Sequence, residues 1–474
     1  MGRFMGRFMG PAGSILCGPM APLGVTMRTD LLKHLERRIP RYTSYPTAAQ
    51  FAREVDARTY QDWLAALPAE APISIYLHIP FCAELCFYCG CHTTVARGYA
   101  PVSSYVALLE KEIALVSAIL AKRRVTQIHW GGGTPTMVVP RDFMRLMAGL
   151  RSSFSFAPDA ELAIEIDPRT MTREYALALA EAGITRASLG VQDFEERVQR
   201  AVGRVQSVAQ TAHAVDWLRE AGVASINLDL MYGLPYQTVS TIAATIERAL
   251  HFNPDRIALF GYAHVPWMKR HQQLLPEREL PGALERLAQM KAASDVLKDA
   301  RYQPIGLDHF AKIDDPLVQR QRQKRLHRNF QGYTTDETAA LIGFGTSAIG
   351  ALPQGYVQNA SSTVAYRDAI QRGRLATVRG RALTEEDRLR RDIIEQLMCN
   401  LEVDLAGTTA ARNRSLDDFA TELSEIDALA ERGLVHRSDG TITVPEDARP
   451  LVRTICAVFD AYLSNQETRY SRAV

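Results

Sequence analysis

Four of the seven cysteines fall at positions 82, 86, 89 and 91. In the spacing Cys82-x3-Cys86-x2-Cys89 a wrapping loop can bring each thiolate to one iron of a four-iron, four-sulfur cube. The fourth iron then has no protein ligand and is open to a substrate or cofactor, which a closed electron-transfer cluster is not. Zinc is the alternative reading; it needs a fourth ligand, and Cys91 or His92 offers one. Phe87 and Tyr88, between the thiols, favour a shielded cluster. Cysteines gathered in this way point to metal or redox chemistry in a cytoplasmic chain, not to the dispersed disulfides of a secreted one.

The elements that must position this loop follow from residue 73 onward. Short β-rich runs at 73–79, 127–130, 162–166, 187–191, 225–230, 256–260 and 304–307 alternate with amphipathic stretches at 103–121, 141–153, 173–181, 208–221 and 239–251. That alternation predicts parallel strands joined by helical crossovers. Polar or glycine-rich motifs follow each strand in phase: PFCAELCFYCGC, GGGTP, EIDP, GVQDF, DLMYGLP, GYAHVP and LDHF. In a βα barrel such segments share one face, where the site lies. The pattern fits a complete or partial α/β barrel better than a Rossmann sheet, since no G-x-G-x-x-G opens a helix.

After residue 312 the rhythm stops. A basic run over 316–328 holds Arg320, Arg322, Lys324, Arg325 and Arg328. A helix is expected from an N-cap at Thr384, a hairpin at Asp439-Gly440, and a last helix over 448–463. This predicts a mainly helical, winged-helix-like C-terminal domain. Basic and acidic residues alternate along it, which favours a structural or lid role over DNA binding. Cys399 and Cys456 read as core, and His78, His309 and His327 as hydrogen-bonded structural residues.

The remaining composition excludes much. Of 474 residues 47% are hydrophobic and 23% charged, a globular balance. Lys plus Arg number 55 against 53 acids, so no general nucleic-acid binder is expected. No continuous apolar stretch reaches membrane-helix length, so no membrane is expected either. Residues 1–29 begin with the repeat MGRFMGRFMG and contain no acid. They read as a disordered extension, or as a start placed too early with Met27 the true one; Cys17 has no assigned role. The expected organisation is 1–29 extension, 30–72 segment packing on the barrel, 73–312 barrel, 313–379 substrate-side connection, and 380–474 C-terminal domain.

YLHIPFCAELCFYCGC resembles the signature of radical S-adenosylmethionine enzymes. Within that superfamily the chain is similar to the oxygen-independent coproporphyrinogen III oxidase family, from about residue 40 to the C-terminus. PRYTSYPTA at 40–48, HWGGGTPT at 129–136, GVQDF at 190–194, DLMYGLP at 229–235, YAHVP at 262–266 and HRNFQGYTT at 327–335 carry the resemblance. It implies a partial (β/α)6-type barrel and a [4Fe-4S] cluster on Cys82, Cys86 and Cys89. It implies hydrogen abstraction by a 5′-deoxyadenosyl radical, with two propionates of coproporphyrinogen III losing CO2 to give the vinyl groups of protoporphyrinogen IX in haem biosynthesis. Tyr76, Gly132, Glu165 and Ile349 match contacts of a first S-adenosylmethionine. Tyr88, Gly133, Thr134, Gln192, Arg204, Asp229 and Ala263 match those of a second. Arg204 would fork onto that cofactor's carboxylate and Asp229 pair with its cation. Tyr88 stands where the family form carries Phe. Cys91 matches a cysteine needed for activity that is not a cluster ligand, and Glu165 is a second candidate for the chemistry. Arg328, inside HRNFQGYTT, is the best candidate for a substrate propionate. The family is monomeric and implies an electron donor and an acceptor that the sequence does not identify. A related haem-chaperone subfamily shares HIPFC and GGGTP but lacks the N-terminal segment and the Gly-Cys after the third cysteine. A zinc-structured DNA-binding protein is the other alternative.

Overall fold

The computed structural model describes residues 33–463 and 470–473; the expectations for residues 1–29, Cys17 and Met27 included, lie outside the described residues. Six strands pair in chain order, all parallel: β1 (Ile73–Ile79), β2 (Arg124–Gly132), β3 (Ser155–Ile166), β4 (Arg186–Gln192), β5 (Ser225–Tyr232) and β6 (Arg256–Gly261). Each is followed by a helix: α1 (Ala100–Leu120), α2 (Pro140–Ser153), α3 (Arg173–Glu181), α4 (Val208–Ala221), α5 (Val239–Leu250) and α6 (Ala283–Asp299). Local signals set the helix ends. Ser207 and Gln210 form a capping box at the start of α4, and Gly222, at φ 97°, ends it.

Strand alternation sorts side chains by chemistry. Ile128 and Trp130, Ile164 and Ile166, Ile226 and Leu228, and Ile257 and Leu259 are buried in the main core, which also takes in apolar residues of the surrounding helices. The opposite parity is polar: Gln127, His129, Glu165, Arg186, Ser188, Asn227, Asp229 and Arg256 line an interior cavity of about 120 Å³. The helices thus cover an apolar surface, while the inside of the curved sheet is left for a polar ligand.

The seventh run does not add a parallel unit. β7 (Gln303–Ile305) turns at Gly306, φ 51°, into β8 (His309–Ala311), which pairs antiparallel with β6. A link this short has no room for the crossover that parallel pairing requires. At the other edge β9 (Leu341–Phe344) runs parallel to β1, and β10 (Ile349–Leu352), β11 (Gly355–Asn359) and β12 (Thr377–Ala382) follow as an antiparallel meander. The order is β12-β11-β10-β9-β1-β2-β3-β4-β5-β6-β8-β7. Since β12 and β7 are not joined, this is a partial barrel. The stretch 313–379, expected as a connection, therefore supplies β9 to β11 and the start of β12; runs of four to six residues left the strand rhythm unrecognisable there.

The C-terminal part packs α7 (Glu385–Asn400), the helix Ala420–Ala430 and a three-stranded antiparallel sheet around its own core of Leu389, Ile393, Leu397, Phe419, Ile442 and Phe459. Thr384 caps α7 and three acids occupy its first turn. The Asp439-Gly440 turn has positive φ at both residues, 50° and 80°, as a type I′ hairpin needs. The expected helix over 448–463 is instead three short pieces, Glu446–Leu451, Val452–Cys456 and Ala457–Phe459. Pro450, which has no N–H to donate, lies inside the first. Cys399 and Cys456 are fully buried. Residues 33–72, expected to pack on the barrel, divide: Val55, Tyr60 and Leu64 join the main core, whereas Ile39, Tyr42 and Tyr45 join that of the C-terminal part. Among the described residues no helix is long and apolar enough to cross a membrane.

Candidate active site

β1 delivers the cysteine loop. Cys82 ends a short strand, Phe81–Cys82, that pairs with Thr94–Val95, so the loop closes on itself. His271 Nε2 donates to the Cys89 carbonyl at 2.7 Å, Lys269 Nζ to that of Cys91 at 2.9 Å, and Gln272 Nε2 to that of Tyr88 at 2.9 Å. Three side chains from beyond β6 thus hold a loop some 180 residues earlier in sequence.

Each of the three thiols meets hydrogen-bond donors. Cys82 Sγ lies 3.0 Å from Thr93 Oγ1 and 3.5 Å from Thr134 Oγ1. Cys86 Sγ is approached by Arg204 Nη1 at 3.6 Å and Arg169 Nη2 at 3.8 Å. Cys89 Sγ accepts from the Cys91 N–H at 3.4 Å. The Cys91 thiol and this N–H together bring Cys89 down to about 7. Donors aimed at sulfur favour thiolates, the form an iron–sulfur cluster requires, although at Cys82 burial outweighs Thr93 and Thr134 and pushes the thiol up. The donor set therefore fits a [4Fe-4S] cluster.

β2 delivers the glycines. Gly132 has φ 117°, and a Cβ there would meet the His78 ring at 2.8 Å and the Ile79 carbonyl at 2.9 Å. A Cβ on Gly133 would meet Phe81 O and Thr93 Oγ1 at 2.6 Å and Cys82 Sγ at 2.9 Å. The room these glycines leave is filled by the protein itself: they let β2 press against the cysteine loop. Thr134 N, next in line, donates to Phe81 O at 2.7 Å.

Glu165, near the end of β3, accepts from Gly132 N at 3.2 Å and from His129 Nε2 at 3.1 Å. His129 stacks on Tyr76, its register partner across β1 and β2. The Tyr76 hydroxyl is 3.0 Å from His78 Nδ1. Because His78 Nε2 donates to His92 O at 2.9 Å, Nδ1 is the acceptor and Tyr76 the donor. Burial brings His78 down to about 4, so it is neutral. Ile349 opens β10; its carbonyl lies where a Cβ on Gly343 would be, and Gly343 is the β9 partner of Tyr76. Tyr76, Gly132, Glu165 and Ile349 are thus brought together.

The second group spreads over β4 to β6. Arg204 is buried; its fork, expected on a ligand carboxylate, is here engaged by Asp167 at 3.1 and 3.2 Å and by Gly190 O at 2.6 Å. Gln192, φ 71°, ends β4, and its amide reaches back beside Gly190 and Arg204. Tyr88 packs with Val198, Leu234 and Tyr262. Ala263 follows β6, and its carbonyl accepts from the same Gln272 amide that holds Tyr88. Asp229 accepts from Ser188 Oγ at 2.9 Å and Asn227 Nδ2 at 2.8 Å. Burial, with the charge of Glu165, pushes Asp229 up to about 6.

The hairpin of HRNFQGYTT, His327–Asn329 with Gly332–Thr334, lies over the interior cavity. Tyr333 anchors it, donating to Met398 O at 2.9 Å. Inside the cavity Gln331 Nε2 and Asn227 Oδ1 are buried without a partner, as expected of a wall built for a polar ligand. Arg328 points away from this cavity and stacks on Tyr333, 4.4 Å from the ring centre. The rest of the basic run is surface: Arg320 and Arg325 pair with Glu337, Lys324 pairs with Glu402, and Arg322 is exposed.

Sequence reasoning passed over Asp167, Arg169 and His129. Asp167 joins Arg169 and Arg204 into one ion cluster at Cys86, and His129 orients Glu165. The in-phase EIDP motif and the His two residues before GGG were the available signals.

The chain matches the Radical SAM superfamily over residues 76–249 and the HemN C-terminal domain over 383–451. An oxygen-independent coproporphyrinogen III oxidase of Bradyrhizobium diazoefficiens is 48% identical, covering 94% of this chain and 100% of the relative. One of Paracoccus denitrificans is 43% identical over 90% of this chain and 95% of its own. The solved coproporphyrinogen III oxidase (HemN) from Escherichia coli, a radical SAM enzyme, superimposes with TM-score 0.85 at 39% identity, covering 90% of this chain and all of that one. With that identity over nearly its whole length, and with three donor-ringed thiols at the mouth of a six-unit partial barrel, the chain belongs to the oxygen-independent coproporphyrinogen III oxidase family of radical S-adenosylmethionine enzymes.

Proposed function

We propose that this protein oxidatively decarboxylates two propionate side chains of coproporphyrinogen III to vinyl groups, giving protoporphyrinogen IX without oxygen. The observation that carries the reading is the cysteine loop: three thiols with donors on every sulfur, pressed by Gly132 and Gly133 against the strand end that holds Glu165. Cys82, Cys86 and Cys89 hold the cluster. Tyr76, Gly132, Glu165 and Ile349 form the wall for S-adenosylmethionine, with Glu165 opposite its ammonium. Cluster and S-adenosylmethionine, when bound, supply the one-electron chemistry that removes a hydrogen atom from the propionate β-carbon. The protein orients the propionate toward that centre and excludes water, since a radical must meet no other hydrogen donor. The hairpin 327–334 covers the interior for this purpose. Tyr88, Gly133, Thr134, Gln192, Arg204, Asp229 and Ala263 form a second S-adenosylmethionine site, and Cys91 assists Cys89.

The test is anaerobic turnover by the reconstituted, reduced enzyme with S-adenosylmethionine, coproporphyrinogen III and an electron acceptor, with products read by mass. Loss of two CO2 per porphyrinogen is expected, and none from Cys82→Ala. Formation of 5′-deoxyadenosine with the porphyrinogen intact would overturn the substrate assignment.

A further inference from the structure

Beside the C-terminal ends of β5 and β6, five guanidinium groups line one small cavity: Arg41, Arg286, Arg328, Arg453 and Arg472. They come from the N-terminal segment, α6, the 327–334 hairpin, the helix Val452–Cys456 and the C-terminal stretch. Among the described residues that line it, Asp308 is the only acid. That carboxylate already accepts from His309 Nδ1 at 2.8 Å and lies 3.8 Å from Arg328.

The other arginines are held by carbonyl oxygens, which orient a guanidinium but cancel no charge. Arg41 Nη2 donates to Gly261 O at 2.7 Å, Arg286 Nη2 to Tyr262 O at 2.8 Å, and Arg453 Nη2 to Arg472 O at 2.8 Å. Donors remain over. Nε of Arg286, Arg328 and Arg453 and Nη1 of Arg328 are buried without a hydrogen-bond partner. Arg453 is 6% exposed, as is the Arg328 side chain. Burial, with Arg41 nearby, brings Arg453 down to about 10. So much unpaired buried charge is unfavourable unless anions meet it.

The cavity measures about 30 Å³. At roughly 10–15 Å³ for one water, it admits a carboxylate head and no ring system. Planar guanidinium forks match carboxylates. Arg328, stacked on Tyr333, forms part of the wall between this cavity and the barrel interior, which Tyr333 also lines.

We propose that the five-arginine cavity receives the carboxylate of a propionate that is not reacting, and thereby sets which propionate reaches the barrel interior; this rests on the function proposed above. The four arginines beyond Arg328 are then substrate-binding residues.

The probe is coproporphyrin III, the stable oxidised tetracarboxylate, titrated into the reconstituted full-length enzyme and read by fluorescence quenching. Its tetramethyl ester serves as the uncharged comparison. Arg41→Gln and Arg286→Gln should each weaken binding about tenfold or more, as loss of a charged hydrogen bond does. Arg320→Gln, on the outer surface, should bind as the parent does, and the ester should bind weakly to all. Cluster absorbance reports folding; if Arg286→Gln loses it, Arg41→Gln at the exposed mouth decides. Arginine variants that bind like a parent capable of turnover would overturn this inference and leave the function intact. Binding that depends on the arginines in an enzyme without turnover would support the cavity and overturn the decarboxylation reading. A parent that binds no coproporphyrin would overturn both.

Discussion

At the scale of single residues, the site is defined by what lies next to each sulfur and by where a Cβ is forbidden. Gly132 carries the second condition most clearly. Its φ of 117° is strained for any other residue, and the nearest obstacles include a backbone carbonyl, Ile79 O, which cannot rotate away. Gly132→Ala should therefore destabilise the protein by about 1–3 kcal/mol. It should also lower iron incorporation, because β2 can no longer press on the cysteine loop. Urea unfolding and iron and sulfide content measure the two effects; a variant with parental stability and full cluster content would contradict the packing argument. The cysteine spacing was readable by itself. Asp167 and Arg169, which complete the environment of Cys86, were not, since their partner Arg204 lies some 37 residues on and only the fold joins them.

At the scale of elements, α1 is tied to the β9–β11 edge through Glu112. Its carboxylate accepts from Gly345 N at 2.7 Å, Asn359 Nδ2 at 2.7 Å and Tyr366 Oη at 2.7 Å. Burial outweighs these donors and pushes Glu112 up to about 7. The sign follows from linkage. Between the ordinary carboxyl value and about 7 the folded state keeps a proton that the unfolded state releases, so stability falls as pH rises through that window and levels off above it. Glu112→Gln cannot titrate and, with one acceptor oxygen fewer, should be less stable at pH 5 but show a flatter slope from pH 5 to 7. Urea midpoints across that range would decide. The six parallel units were legible because period-2 runs and helical stretches alternate at regular length. The β9–β12 meander and the β7–β8 hairpin were not, because strands of three to six residues carry too few positions to establish a period.

At the scale of the whole molecule, the N-terminal segment joins the two cores. Tyr45 is buried at 2% exposure, its hydroxyl accepts from Ala461 N at 3.0 Å, its carbonyl accepts from the Tyr356 hydroxyl at 3.2 Å, and its ring meets that of Tyr462. Four residues earlier Arg41 reaches Gly261 at the barrel mouth. Ala473 N in turn donates to Arg37 O at 2.8 Å, adding a C-terminal strand-like contact. Tyr45→Ala should cost about 3–5 kcal/mol, as for other large buried aromatics. Hydrogen exchange should speed up in α7 and in residues 452–459 while α2 to α5 keep their protection. Uniform loss of protection would instead mean that the two cores unfold as one.

What the sequence determined by itself was local chemistry and its order: three thiols at cluster spacing, a glycine turn behind the second strand, polar motifs in phase at strand ends. Those depend on separations of a few residues, which chain geometry converts directly into proximity. Tertiary structure decided which cations face inward. Residues 320–325 and Arg328 belong to one basic run, yet Arg328 alone of them joins the cavity beside β5 and β6, where it meets arginines from positions 41, 286, 453 and 472. Convergence over such separations is set by how the sheet curves and where the C-terminal part docks, and no short-range spacing encodes it.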